Sequence, residues 1–238
     1  MEVVPALVAA VLCGLTGLAA PRLIAWIPEP APDADADPDV PDDDPKETYA
    51  AIAALPGLAW KSALVSAVAG GLIAGELAWA WPLVYLLPLV PVCVALAVVD
   101  WRTRLLPTKV IRPSYLLVVV GVLVCFAATR DTDDLVRAGW GLLIAFGLYW
   151  LLWRVYPRGM GFGDVRLSGV LGIALGQLGW GPLIVGVYAG FLLGGVLGGV
   201  LSVLRVVDRK GYPFGPFMLV GALVGILWGF PILSRFVA

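Results

Sequence analysis

Long uncharged apolar segments recur along this chain, and they constrain its fold more than any other feature. The segment 82–99, for example, contains no charged residue. Hydrophobic residues make up 61% of the 238 residues and charged residues only 14%, whereas soluble domains average about 45–50% and 25%. Mean hydropathy is correspondingly high, at +0.94. The sequence therefore predicts an all-α membrane protein that crosses the bilayer several times.

We expect a polytopic bundle of about eight transmembrane helices. Several of the segments are shorter than the roughly 20 residues that a straight span requires. Glycines are concentrated within the segments, as at Gly190 and Gly194, and small residues let helix backbones approach closely in lipid. The eight segments are 5–27, 62–80, 82–99, 113–128, 138–153, 166–180, 182–204 and 215–233.

The basic residues predict the orientation of these spans. Ten of the 16 Lys and Arg residues fall in three alternate loops, and cytoplasmic loops are enriched in such residues. We therefore expect these loops to face the cytoplasm and, with eight spans, both termini to lie on the other side. The ten residues are Arg102, Arg104, Lys109, Arg112, Arg154, Arg158, Arg166, Arg205, Arg209 and Lys210.

The chain divides into a first span over 1–27, a linker over 28–61 and a membrane core over 62–238. Between Pro28 and Pro45 the linker has six prolines and eight acids, so it has too few apolar residues to bury a core. Nine of the chain's 17 acids lie from Glu29 to Glu47. Two interpretations remain open for this cytoplasmic segment: it attracts a basic partner segment, or it is a spacer.

Few residues are available for chemistry. The chain has no histidine, which excludes imidazole bases, Ser-His-Asp triads and HExxH metal sites. Its three cysteines, Cys13, Cys93 and Cys125, stand in separate apolar segments, so neither a disulfide framework nor a thiolate zinc site is indicated. Rossmann and P-loop phosphate motifs are absent. We expect no metal, no cofactor and no nucleic-acid partner.

Two carboxylates lie at the predicted cytoplasmic edge of the membrane. Asp100 follows the apolar segment 82–99, and Asp164 follows two glycines and precedes the segment 166–180. Two carboxyl groups held close together share a proton, so one can accept a proton from water while the other donates one. The alternative interpretation is that both are helix-end acids paired with nearby arginines.

Three short segments resemble the signatures of the type IV prepilin peptidases. Gly159–Leu167, with the sequence GMGFGDVRL, is similar to the GxGD segment of that family. Asp100–Pro107, with the sequence DWRTRLLP, resembles its first aspartate segment. Tyr212–Phe217 contains PFGPF, the third signature, which opens the last span. The three occur in the family's order, and the resemblance covers about 82–233.

The resemblance implies a GxGD aspartyl endopeptidase in which Asp100 and Asp164 are the catalytic pair. It implies cleavage of a basic leader from a prepilin or pseudopilin, after a glycine that precedes the hydrophobic helix. The cleavage would occur at the cytoplasmic face of the bacterial plasma membrane, among membrane lipids. The region 62–238 would then be the catalytic core.

Two departures from the family pattern are present. Longer members carry a zinc-binding insert with paired CxxC motifs between the first two spans, and the linker 28–61 contains no cysteine. The second activity of many members, N-methylation with S-adenosylmethionine, is therefore doubtful here. The residue two positions after Asp164 is usually lysine in the family and is Arg166 in this chain.

The resemblance also suggests residues that shape the site or position the substrate. Glycines allow close approach of another backbone, and the basic residue supplies positive charge near the site. The prolines have a simpler alternative role, which is to begin a helix. The residues are Pro107, Gly161, Gly163, Arg166, Pro213, Gly215 and Pro216.

Two other functions remain open at this stage. A presenilin-like GxGD protease acting on other substrates would share the aspartates but lack the PFGPF segment in this form. A transporter would use the two aspartates as a proton or cation site, and paired half-helices in symmetric halves would favour it. The sequence contains no such repeat.

Overall fold

The structure, a computed structural model, describes residues 2–29, 47–155, 160–197 and 213–237. Within these ranges the regular structure is entirely helical. The helices, in chain order, are α1 (Val3–Gly17), α2 (Ala20–Trp26), α3 (Tyr49–Ala53), α4 (Leu58–Leu77), α5 (Leu83–Thr103), α6 (Thr108–Thr129), α7 (Thr132–Val155), α8 (Phe162–Leu178), α9 (Trp180–Leu192) and α10 (Gly215–Val237). A π-helical turn, Leu193–Leu197, extends α9.

Five helices in the described part of the chain are long and apolar enough to cross a membrane: α4, α5, α6, α7 and α10. The bent pair α1 and α2 adds a sixth if it forms one span. The predicted sixth span corresponds to α8, with 17 residues. The predicted seventh corresponds to α9 and its π-helical turn, and residues 198–204 lie outside the described residues. The prediction of an all-helical membrane protein is confirmed, and helix length alone accounts for five or six of the eight predicted crossings.

The first predicted span, 5–27, bends by 41° between α1 and α2. Leu18 and Ala19 lie at the break, and Pro21 stands in the first turn of α2. Proline lacks an N–H group, so it is tolerated at the start of a helix and interrupts a continuous one. The bend therefore follows from the position of Pro21.

The predicted linker, 28–61, contains helical structure at its C-terminal end. The Thr48 hydroxyl caps α3 by accepting the Ala51 N–H at 3.2 Å, and α4 begins at Leu58, before the predicted start of the second span at 62. Lys61 is charged but stands within α4, where its ammonium lies 5.7 Å from the centroid of the Trp60 ring. Residues 30–46 of the linker lie outside the described residues.

Glycines hold three helix pairs in close contact: α1 with α4, α7 with α8, and α9 with α10. A Cβ atom on Gly141 of α7 would collide with the carbonyl oxygen of Gly172 on α8, and one on Gly221 of α10 would collide with Gly190 of α9. On α4, a Cβ on Gly70 would collide with Cys13 of α1. Since hydrophobicity does not drive helices together in lipid, such backbone contact is what fixes their positions.

Candidate active site

Asp100 lies in the last turn of α5 and is only 3% exposed. Its Oδ2 atom accepts a hydrogen bond from the backbone N–H of Gly215, the first residue of α10, at 2.9 Å. The helix ends three residues later at Thr103, and Arg104 adopts a left-handed conformation with φ 56°. The carboxylate therefore caps the N-terminus of α10, where the helix dipole favours negative charge.

Asp164 lies in the first turn of α8 and is 6% exposed. Its Oδ2 atom accepts the Gly161 N–H at 3.1 Å, and its own N–H donates to the Gly161 carbonyl oxygen at 3.1 Å. Its second oxygen, Oδ1, is buried and accepts no hydrogen bond from any described residue. A buried polar atom without a partner is uncommon in native proteins and points to a role beyond packing.

The two aspartates belong to the same end of the bundle, with Leu106 between the segments that carry them. A Cβ atom built on Gly163 would lie 2.7 Å from Leu106 Cβ, and one built on Gly215 would lie 3.4 Å from Leu106 Cδ1. The two carboxyl groups are also close enough for the charge of Asp100 to act on Asp164. The structure thus brings together two carboxylates that are 64 positions apart in the sequence.

The environment of Asp164 favours its protonated form. Asp164 lies two residues before the predicted span 166–180. Burial, and then the neighbouring charge of Asp100, raise the pKa of the Asp164 carboxyl from 3.8 to about 8, although the Gly161 hydrogen bond opposes the shift. Burial disfavours any charged form, and a like charge adds to the effect. Asp164 is therefore the member of the pair that holds a proton at neutral pH.

The two glycines of the GxGD segment differ in their surroundings. Gly161 is exposed and precedes α8, in an extended conformation with φ −74° and ψ 149°. Gly163 packs against Leu106, so a side chain there would require Leu106 to move. A Cβ atom on Gly161 would lie in ordinary contact with Asp164 Oδ2, at 3.5 Å, whereas Gly163 allows α8 to approach the loop after α5.

Arg166 and Pro107 lie on the α6 side of the site. The Arg166 guanidinium donates to the Thr108 hydroxyl and stands 4.8 Å from the centroid of the Phe162 ring. The Arg166 carbonyl accepts the Tyr115 hydroxyl at 2.8 Å. No ion pair joins Arg166 to either aspartate within the described structure. Pro107 directly precedes α6. Arg166 therefore connects α8 to α6. These contacts do not support the interpretation that the two aspartates are paired with arginines.

The PFGPF segment contacts Asp100 at the start of α10. Pro213, Phe214 and Gly215 are buried, and Pro216 is half-buried in the first turn of α10. A Cβ atom on Gly215 would lie 2.8 Å from Asp100 Oδ2. Only glycine therefore fits at this position without displacing the carboxylate. Tyr212 and the basic residues Arg205, Arg209, Lys210 and Arg158 lie outside the described residues.

Sequence analysis missed Tyr149 as a neighbour of the site. It lies on α7 with 2% exposure, within electrostatic range of Asp164, and its ring meets the Phe214 ring edge to face at 5.9 Å. The sequence feature that could have identified it is a tyrosine hydroxyl within the apolar segment 138–153. Tyr149 therefore links α7 to the segment that precedes α10.

The chain matches the sequence pattern of the type IV leader peptidase family over residues 87–203. This range includes both aspartates and ends before α10. No solved structure matches the chain significantly.

Among curated relatives, a prepilin leader peptidase/N-methyltransferase of Stutzerimonas stutzeri is 31% identical over 180 residues, which is 71% of this chain and 59% of the relative. A protein of the same name from Pseudomonas aeruginosa is 30% identical, over 70% of this chain and 57% of its own length. A third, from Aeromonas hydrophila, is 31% identical with 70% and 57% coverage. The chain spans somewhat under three fifths of the length of these relatives.

Family pattern and relatives agree with the resemblance found in the three short segments. The chain belongs to the type IV leader peptidase family.

Proposed function

We propose that this protein is a membrane-embedded aspartyl endopeptidase that removes the basic leader from prepilin or pseudopilin precursors at the cytoplasmic face of the membrane. The observation that carries the proposal is the pair of buried aspartates, whose Asp164 keeps one oxygen free of described hydrogen-bond partners. Family membership and the names of the relatives support the reaction and the substrate class. The chemistry needs no metal or cofactor.

Each carboxyl group accepts one backbone N–H, and the roles are assigned from burial and from the charge of one carboxyl on the other. Asp100 receives the Gly215 N–H at the start of α10, which stabilises its charged form. Burial and the Asp100 charge keep a proton on Asp164. Asp100 is therefore the general base, and Asp164 is the general acid.

Hydrolysis then proceeds with the protons balanced. Asp100 takes one proton from a water molecule as the water oxygen bonds to the scissile carbonyl carbon, and Asp164 gives its proton to the carbonyl oxygen. In the second step Asp100 passes its proton to the peptide nitrogen, the C–N bond breaks, and Asp164 recovers a proton from a hydroxyl of the intermediate. Both aspartates return to their starting states.

The remaining predicted residues have positioning roles in this proposal. Gly161 gives the substrate backbone access to Asp164, and Gly163 lets α8 approach the loop that follows Asp100. Gly215 presents its N–H to Asp100, with Pro213 and Pro216 on either side of the buried turn. Pro107 and Arg166 hold α6 against α8. The paired cysteine ligands of the zinc insert are absent from the chain, so N-methylation is not part of the proposal.

The membrane arrangement proposed here has eight crossings, with the segments 166–180 and 182–204 as the sixth and seventh. Span 1–27 would lie first and the acidic linker 28–61 would face the cytoplasm. The basic loops support this orientation because cytoplasmic loops are enriched in Lys and Arg. Both aspartates would then be at the cytoplasmic face.

The test is cleavage of a defined peptide by the purified protein in detergent. The peptide carries a basic leader, a glycine and an apolar helix, and the product masses identify the bond that is broken. Cleavage after the glycine is the expected result. If a folded preparation leaves the peptide intact, the proposal is wrong, and ion flux in vesicles then examines the transporter alternative.

A further inference from the structure

An open apolar groove runs along α5 on the side of the bundle formed by α4, α5 and α10. Its volume is about 460 Å³. The exposed side chains of Val65 on α4 and Val220 on α10 form its rims, and the buried Ala174 and Leu175 on α8 form its base. We call this the α5 groove. Its lining is almost wholly hydrocarbon, so it suits an apolar occupant.

The inner end of the α5 groove reaches the candidate active site. Trp101 and Pro216 line this end, and they directly follow Asp100 and Gly215, the two residues joined by a 2.9 Å hydrogen bond. A chain that leaves the groove at this end therefore arrives beside the Asp100 carboxylate. The groove therefore ends beside the residues that follow Asp100 and Gly215, while the two carboxylates themselves lie outside its lining.

The length of the α5 groove matches a membrane-inserted helix better than a small molecule. Its lining on α5 extends from Leu86 to Arg102, which at 1.5 Å per residue is about 24 Å. This is most of the roughly 30 Å hydrocarbon thickness of a bilayer. The modest volume fits the side chains along one face of a helix.

The charges at the mouth distinguish a protein helix from a lipid chain. Arg102 lines the inner end of the α5 groove and forms a 3.0 Å ion pair with Glu47. This ion pair offsets the attraction of Arg102 for an anionic lipid headgroup. Glu47 is the last of nine acids that begin at Glu29 in the sequence. This acidic stretch attracts a basic segment and repels an anionic lipid headgroup.

We infer that the α5 groove is the docking site for the apolar helix of the protein substrate, which the basic leader precedes. The inference rests on the proposed function and adds where the substrate lies. The helix packs against α5 between α4 and α10, and its N-terminal end places the scissile bond at Asp100 and Asp164. Specificity for precursors with a helix then resides in the groove.

The test compares Val220→Trp, which fills the groove, with Val120→Trp on α6, which lies outside it. The two valines are 50% and 48% exposed, so the substitutions are matched in chemistry and exposure. Each variant receives two substrates: one with the leader, the glycine and the apolar helix, and one that stops shortly after the glycine. KM and kcat are measured for both.

Val220→Trp is expected to raise KM about tenfold for the long substrate, equivalent to about 1.4 kcal/mol, and to leave the short one unchanged. Val120→Trp should change neither. Equal effects of the two variants, or an equal loss on both substrates, would overturn the groove assignment.

Binding is measured separately, so that failure of the groove and failure of the proposed function are distinguishable. The long substrate, carrying a fluorophore, is titrated into the protein with Asp164→Asn, alone and combined with Val220→Trp or Val120→Trp. Weaker binding caused only by Val220→Trp supports the groove even if the wild type cleaves nothing. Unchanged binding in both combinations contradicts it.

Discussion

At the scale of single residues, the hydrogen bond between Gly215 and Asp100 organises the site. It joins residues 115 positions apart and holds the end of α5 against the start of α10. Gly215 has no room for a side chain, because a Cβ atom would lie 2.8 Å from Asp100 Oδ2. The PFGPF segment thus acts on the chemistry through the position of one carboxylate.

The Gly215→Ala variant should lose most of its activity while remaining folded. The added methyl group pushes the Asp100 carboxylate aside, and a displacement of about 1 Å in a catalytic group can cost about 100-fold. We expect a loss of that order in kcat on a leader peptide. Gly147→Ala on α7 is the control, since a Cβ there meets nothing within 4 Å. Equal activities of the two variants would contradict this role of Gly215.

The raised pKa of Asp164 makes the reaction sensitive to alkali. In the proposed mechanism its carboxyl supplies a proton and holds it below a pKa of about 8, so kcat/KM should fall as the pH rises through that value. A pH profile of cleavage between pH 5 and 10 measures this. Constant activity to pH 10 would contradict the role of Asp164 as the acid.

The same shift predicts a change in stability, and its sign follows from proton binding. Between the ordinary pKa of 3.8 and the native value of about 8, the folded state binds more protons at Asp164 than the unfolded state. The contribution of Asp164 to the free energy of unfolding is therefore fully present below pH 3.8 and is lost as the pH rises through about 8. Thermal unfolding of Asp164→Asn should accordingly lose less stability over this range than the wild type.

Sequence alone predicted the two aspartates and the glycines beside them as site residues, because short signatures carry them, and this assignment stays a prediction. It did not identify Tyr149, Leu106 or Thr108 as neighbours of the site. These residues occupy ordinary apolar or helix-start positions, and only the packing of α6, α7 and α10 brings them close. Arg166 was expected to supply charge near the site, whereas its guanidinium contacts Thr108 and Phe162.

At the scale of helices, glycine contacts fix the positions of α8, which carries Asp164, and α10, which begins at Gly215. Helix α8 carries Asp164 and rests on α7 through Gly141, Gly172 and Gly176. Helix α10 begins at Gly215 and rests on α9 through a second set, which includes Gly190 and Gly221. Since these contacts are between backbones, small changes in side-chain volume should move the helices.

Gly141→Ala should destabilise the protein by about 1–3 kcal/mol, the usual cost of overpacking, because its Cβ collides with the Gly172 carbonyl oxygen. Gly139→Ala on the same helix is the matched control, as a Cβ there meets nothing within 4 Å. Thermal unfolding in detergent compares the two. An unfolding temperature as high for Gly141→Ala as for Gly139→Ala would contradict the close α7–α8 contact.

Hydropathy located the helices but not all of their ends. The third span was expected to end at 99, yet α5 continues to Thr103 and places Asp100 inside its last turn. The second span begins at Leu58, ahead of Lys61. Charged residues marked boundaries in the sequence, but a helix continues through them where a partner such as Gly215 or an aromatic ring is available.

At the scale of the whole molecule, composition predicted the all-helical membrane fold because hydrocarbon admits few other structures. The number of crossings was harder to predict, since α8 has only 17 residues, α1 and α2 are bent, and the seventh segment is described only to 197. Hydropathy does not show which helices are neighbours within the membrane. The contacts among α5, α8 and α10 could therefore not be predicted from it.

The proposed topology can be tested by thiol labelling in intact cells. Lys109→Cys and Asp133→Cys place exposed thiols at opposite ends of α6 and α7. A membrane-impermeant reagent should label the thiol at 133 directly and the one at 109 only after permeabilisation. The parent protein, with its native cysteines, is the background control. The reverse pattern would contradict a cytoplasmic active site.

The measurement that tests the central claim most directly is cleavage of the leader peptide by Asp100→Asn and Asp164→Asn. Asp133→Asn, an exposed position in the first turn of α7, is the matched control, and thermal unfolding verifies that all three variants are folded. The paired mechanism predicts cleavage after the glycine by the wild type and the control, and none by either active-site variant. Substantial activity in either of these two variants would contradict it.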